Sequence, residues 1–171
     1  MGFYYFFDAS AIVKYYVEEP GSVWVKGVVD LTDPDTEKRA NTVFIAEVSI
    51  TEAVAAFSVL HRTQQIRRCT RNRVFSRFLA EAGTFFMLIP IVSDDFYTAA
   101  LLTQRHPLKA YDAIQLAVAL RYHQVLAQRE LGLIFVSGDR QQLAAAEAEG
   151  LATDNPFDHL APSDSLTRAH E

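Results

Sequence analysis

The chain has 171 residues, half of them apolar, and a net charge of −5 with a pI near 5.5. That length and apolar content suffice for one domain with a proper core and exclude a disordered chain, while the acidic balance excludes a surface coated in basic residues for nucleic acid, though not a local basic patch. The single cysteine, Cys69, excludes an internal disulfide and a cysteine-based zinc site and fits a reducing, cytoplasmic setting; no signal peptide is visible, and no run approaches the roughly 20 apolar residues of a membrane span.

Residues 3–8 (FYYFFD) read as a buried strand, and SAIVKYYVEE (10–19) as a short helix opened by Ser10. Pro20 suits the first turn of a second helix, PGSVWVKGVVDL (20–31), where a missing backbone N–H costs nothing. A polar loop (33–41) leads to a second strand, TVFIAE (42–47), and to a helix over 49–66. A helix over about 70–86, a strand FMLIPIV (86–92), and helices over 93–106 and 109–128 parted by Pro107 come next. LIFVS (133–137) is a fourth strand, 139–150 a helix ended by Gly150, and LAT (151–153) a short fifth strand.

Strands alternating with helices predict a three-layer α/β/α sandwich with a central, mainly parallel sheet of four or five strands. Their nearly continuous apolar runs fit a sheet covered on both faces. Residues 1–156 are expected to form the domain, and 157–171 a polar, flexible tail whose histidines, His159 and His170, are solvated and idle.

Several acids lie in places that need explaining. Between Ala110 and Leu120 only Asp112 and Gln115 are polar. A helix apolar nearly all round is buried, and an ionised carboxylate there costs several kcal/mol unless it is paired or coordinated. The plainer account of Asp112 is a first-turn acid favoured by the helix dipole. Asp8 closes the first strand. Asp139 follows the fourth and, with Gln142, also fits a capping box; Glu52 fits one opened by Ser49. Glu47, ending the second strand, rivals Glu52. In a parallel sheet, strand ends and the starts of the following helices share one edge, so at least three carboxylates can converge there. Acids held that close repel and protonate unless a cation lies between them, and an all-oxygen donor set suits Mg²⁺ or Mn²⁺.

Four blocks then stand in order from residue 5 to about 151: FFDASAIVKYYVEEPGS, AEVSITEAVAAF, LKAYDAIQLAVAL and FVSGDRQQLAAAEAEGL. Together they resemble the PIN domain family, and more narrowly the VapC-like toxins of bacterial toxin–antitoxin pairs. The resemblance implies a PIN-like fold and a metal-dependent ribonuclease using Mg²⁺ or Mn²⁺, often dimeric and held silent by a cognate antitoxin. It implies Asp8, Glu52, Asp112 and Asp139 as the acidic, metal-binding cluster, with Ser10 as a helper, and it selects Glu52 over Glu47. Gly138 replaces a more usual Ala and is expected to matter little. A PIN-like module that binds RNA or protein without cutting is the alternative. An aspartate-nucleophile phosphatase would want Asp-x-Asp where this chain has Asp8-Ala9-Ser10.

Arg62, Arg67, Arg68, Arg71, Arg73 and Arg77 crowd into residues 62–77. They read as a phosphate-gripping patch for RNA (Arg67, Arg68, Arg71 and Arg73 foremost), as a dock for an acidic antitoxin segment, or as a solvated helix face. Tyr4, Tyr5, Tyr15, Tyr16 and Trp24 could stack bases, although core packing or a dimer interface explains most of them more simply.

Overall fold

The computed structural model describes residues 2–160. Its elements run β1 (Tyr4–Phe7), α1 (Ala9–Tyr16), α2 (Ser22–Asp30), β2 (Thr42–Ala46), α3 (Val48–Arg62), α4 (Arg68–Glu81), β3 (Met87–Ile89), α5 (Ser93–Arg105), α6 (Ala110–Ala127), β4 (Ile134–Val136), α7 (Arg140–Ala148) and β5 (Ala152–Asp154), ending in a 3₁₀ turn at Pro156–Asp158. The strands form one sheet in the order β3-β2-β1-β4-β5, every pairing parallel. The expected α/β/α sandwich is therefore present, with five strands.

The alternation of side chains along β1 builds the two faces. Tyr5 and Phe7 enter one core, with Phe57, Val74, Phe78 and Phe86 from α3, α4 and the approach to β3. Phe6 enters the other, stacked on Phe135 at 5.7 Å and packed with Leu102, Leu116 and Leu143 of α5, α6 and α7. Burying each large apolar side chain contributes about 1.5–3 kcal/mol, so Tyr5, Phe6 and Phe7 of the aromatic run are chiefly a folding signal, while Phe3 stays exposed. A half-buried ion pair locks α5 to α6: Arg121 grips Asp95 through two hydrogen bonds of 2.8 and 3.0 Å, with Asp95 only 2% exposed.

The strand order reverses between β1 and β4. In an open parallel sheet, the crevice at the carboxyl ends of two such strands is where ligands bind. Asp8 follows β1 directly, and Ser137, Gly138 and Asp139 follow β4.

Several local expectations are corrected. Ser10 does not open α1; Asp8 does, accepting a hydrogen bond from the Ala11 N–H at 2.8 Å. Pro20 precedes α2, whose N-cap is Gly21 at φ +88°. Glycine is required there twice over, because a Cβ would lie 2.6 Å from the Pro156 carbonyl oxygen. Ser49 does not cap α3; Glu47 holds that position with no side-chain capping bond, and Ser49 is buried in the first turn. The helix predicted over 49–66 stops at Arg62, and Gln64 takes φ +63°. The helix predicted to reach 86 ends at Glu81, which frees Phe86 to enter the core.

Nor is His159 idle. Its ring stacks on Trp24 at 4.4 Å and 4°, and Nε2 lies 2.6 Å from Asp154 Oδ1. His170, with the rest of 161–171, lies outside the described residues.

Candidate active site

Asp8 is the anchored member of the acid edge. It is 5% exposed, and both carboxyl oxygens are engaged. Oδ1 accepts from the Ala11 N–H and the Ser10 hydroxyl, each at 2.8 Å; Oδ2 lies 2.6 Å from the Ser137 hydroxyl. Ser10 in turn accepts from the Gly138 N–H at 2.8 Å, stitching the start of α1 to the β4–α7 turn. Ser137 Oγ also lies 3.0 Å from Gln142 Oε1 and accepts from the Asp139 N–H at 2.9 Å. A serine hydroxyl has one proton. With Asp8 protonated every group is satisfied: Asp8 donates to Ser137, and Ser137 donates to Gln142. With Asp8 ionised, Ser137 must turn its proton to the carboxylate, and the Gln142 carbonyl loses its donor.

Two buried glutamines hold the remaining acids in place. Gln115 of α6 is 1% exposed. Its Oε1 accepts from the Ala9 N–H at 3.2 Å and the Ser49 hydroxyl at 3.0 Å, and its Nε2 donates to Glu52 Oε2. Gln142 of α7, equally buried, donates from Nε2 to the Asp112 carbonyl oxygen at 3.2 Å. Asp139 caps α7, its Oδ1 accepting from the Gln141 and Gln142 N–H groups at 2.8 and 3.3 Å. The predicted capping box is half present, because the Gln142 side chain turns to Ser137 and Asp112 instead.

The acids act on one another. Burial pushes the Asp8 carboxyl up to about 6, against hydrogen bonds from Ser137, Ala11 and Ser10 that pull it down, and the charge of Asp112 adds to the rise. Burial also raises Glu52, to about 7, with the charges of Asp112 and Asp8 contributing. Asp112 is raised by burial and then by Asp139, while Lys109 opposes the rise. The edge thus gathers Asp8, Glu52, Asp112 and Asp139 within one electrostatic neighbourhood. Among the described residues, however, no three His, Cys, Asp or Glu side chains stand close enough to form a ready metal-holding group. Four carboxylates and no softer donor suit a hard divalent cation. The side chains as they stand, with Asp8 and Glu52 engaged by protein donors, fit the chemistry of such an ion without presenting a finished shell.

Glu47 faces elsewhere: it is exposed, and its Oε2 accepts from the Ile91 N–H at 3.3 Å. The buried polar partners Ser49, Gln115, Ser137 and Gln142 were not foreseen as site residues. One signal was visible, a lone glutamine among the apolar residues of 110–120. Of the tyrosines considered for stacking, Tyr5, Tyr15 and Tyr16 are buried in the core. Arg77 is bound to Glu81 at 2.8 Å and lies over the rings of Tyr15 and Tyr16. Arg67, Arg68 and Arg73 are exposed, and Arg71 is half-buried with its Nε unpartnered.

Gly138 matters more than its sequence position suggested. A Cβ there would lie 3.0 Å from Phe157 Cε2 and 3.2 Å from Ser10 Oγ. Gly138→Ala is therefore expected to cost about 1–3 kcal/mol, the usual range for overpacking, because the Cβ would press on a fixed ring and on the Ser10 hydroxyl. Urea unfolding at neutral pH measures it; an unchanged midpoint would mean that the turn relaxes freely.

A model of the PIN domain matches residues 5–148. The chain belongs to the PIN domain family. No curated protein sequence matches it significantly. Among solved structures, this PIN domain is similar to FitAcB from Neisseria gonorrhoeae, with a TM-score of 0.57 and 16% identity, covering 90% of this chain and 98% of that one. It is similar to PAE2754 from Pyrobaculum aerophilum, with a TM-score of 0.55 and 19% identity over 97% of this chain and 88% of the other. It also resembles a chain of a toxin–antitoxin complex from Klebsiella pneumoniae, with a TM-score of 0.53 and 18% identity over 89% and 97% of the two chains. At these identities the likeness is one of fold.

Proposed function

We propose that this PIN domain is a divalent-cation-dependent endoribonuclease that serves as the toxin of a toxin–antitoxin pair. The observation that carries the catalytic part is the crowding of Asp8, Glu52 and Asp112 at the switch-point edge, where each carboxyl is raised by burial and by a neighbouring acid. Like charges pressed together this way are stable only when protonated or bridged by a cation. Asp8, Glu52, Asp112 and Asp139 would hold a Mg²⁺ or Mn²⁺ ion, which when bound supplies Lewis acidity and an activated water for phosphodiester hydrolysis. Ser10 and Ser137 are positioning residues that fix the Asp8 carboxyl. Glu52 is oriented by Gln115, and Asp139 by its place at the head of α7.

The toxin part is supported by the similar fold in the Klebsiella pneumoniae toxin–antitoxin complex. It brings with it an antitoxin partner and a homodimer as proposals. Among the described residues no helix is long and apolar enough to cross a membrane.

The test is incubation with a random-sequence RNA pool in Mg²⁺, Mn²⁺ or chelator. Cleavage is expected only with the cation. It should leave linear phosphate ends, because water and not the RNA's own 2′-hydroxyl attacks. Cyclic phosphate products that persist in chelator contradict the reading; binding without cleavage in any cation leaves the non-catalytic module.

Exposed arginines at and after the N-cap of α4, Arg67, Arg68 and Arg73, would contact the RNA backbone under this reading. Replacing Arg67 and Arg68 together with Ala is expected to weaken binding across RNA sequences and to reduce the slope of log K against log salt by about 1.4, at about 0.7 for each lost single-strand phosphate contact. An unchanged slope would return these residues to a solvated helix face.

A further inference from the structure

The 3₁₀ turn after β5 brings an aromatic ring to the acid edge and holds it there. Asn155, 6% exposed, accepts the Phe157 N–H at 3.0 Å, and the buried Pro156 lies against Gly21. Two residues further on, His159 is stacked on Trp24 and bonded to Asp154. The chain is thus fixed on both sides of Phe157. Its ring closes on the Gly138 position, 3.0 Å from where a Cβ would stand, within the turn that carries Asp139; the Gly138 N–H in turn bonds the Ser10 hydroxyl, which bonds Asp8. Lys14, 2% exposed and paired with Glu19 at 2.7 Å, sets its ammonium 3.9 Å from the ring centroid. With all these neighbours Phe157 is still 36% exposed. An aromatic held rigidly at the rim of a site has its ordering cost met in advance, and nucleobases stack on such rings whatever their sequence.

We propose that Phe157 is a nucleobase-stacking residue that positions single-stranded RNA beside the acid edge; the inference rests on the ribonuclease reading. The base it receives would be one flanking the phosphate presented to Asp8, Asp112 and Asp139, because the ring adjoins the turn that carries Asp139, and that turn is bonded through Gly138 and Ser10 to Asp8.

The experiment uses the full chain and the short RNA that the wild type cuts most readily from a random pool. Phe157→Leu keeps an apolar cover over Lys14 and removes the π face; Phe157→Trp keeps both. Phe157→Leu is expected to raise KM for that RNA by about 5- to 150-fold, the range for losing one base–aromatic stack, with a smaller change in kcat and a melting temperature close to wild type. Phe157→Trp should restore the wild-type KM. An abasic scan of the RNA adds a readout that a structural role would not move. One abasic position should raise KM for the wild type, and the same position should be silent for Phe157→Leu. If Phe157→Leu matches the wild type in KM, or if both proteins respond alike to every abasic position, the inference is wrong and the ribonuclease reading stands. If the wild type neither binds nor cuts RNA, both fall together.

Discussion

Asp112→Asn is expected to lower RNA cleavage by well over a hundredfold while leaving the melting temperature unchanged or slightly raised. Changes one layer out from a metal typically cost 10- to 100-fold, and under the proposed function Asp112 would touch the ion itself. Stability should move the other way because Asp112 is a source of strain in the metal-free protein. Its charge raises both Asp8 and Glu52, and it is itself raised by burial and Asp139. Asparagine removes that repulsion and keeps an oxygen to accept the backbone bond from Lys109. A fall of many degrees in melting temperature would show instead that Asp112 is a structural first-turn acid, the plainer account of its place in α6.

The second large effect is on the pH dependence of stability in chelator. Asp8 moves from an ordinary 3.8 to about 6 on folding, and Glu52 from 4.5 to about 7. Over that window the folded state holds protons that the unfolded chain has released. The contribution of both groups is therefore fully present below pH 4 and is lost as pH rises through 6 and 7. For buried Asp8, ionising a carboxyl displaced from 3.8 to about 6 costs about 3 kcal/mol. Glu52 is nearer solvent, so its share is smaller. The metal-free protein should accordingly be easier to unfold in urea at pH 8 than Glu52→Gln, with the gap narrowing at pH 5 and closing near pH 4, where Glu52 is protonated in the folded and largely in the unfolded chain. Saturating Mn²⁺ should restore wild-type stability at pH 8 and do little at pH 5, since a cation binds the ionised carboxylates. Parallel wild-type and Glu52→Gln profiles across pH 5–8 would mean that Glu52 is simply solvated.

The fold was legible because its signal is redundant. The apolar run of β1 and the matching runs of β2 and β4 could only be strands covered on both faces, and the helices between them forced parallel pairing. The acids were legible as positions: Asp8 and Asp139 follow strands, and Asp112 interrupts an apolar helix. What the sequence concealed was how those acids are held. A capping box and a catalytic acid look alike in one dimension. Ser49-x-x-Glu52 reads as a cap, whereas in the structure Ser49 is buried against Gln115 and Glu52 turns to the same glutamine. That meeting joins residues 66 and 63 positions apart, and no local pattern encodes it. The same is true of residues 157–159, which by composition read as the start of a free tail. Their fixation depends on a ring stack with Trp24 and on the close approach of Pro156 to Gly21, both distant in sequence.

The account stands on the acid edge being a divalent-cation centre, and a Mn²⁺ titration of the metal-free protein near pH 7.5, followed by the paramagnetic resonance of the free ion, tests this most directly. Saturable binding is predicted for the wild type and for Phe157→Leu, with loss of that binding in Asp8→Asn and in Asp112→Asn. Wild-type protein that leaves all Mn²⁺ free, or Asp8→Asn and Asp112→Asn proteins that bind it as the wild type does, would contradict the account.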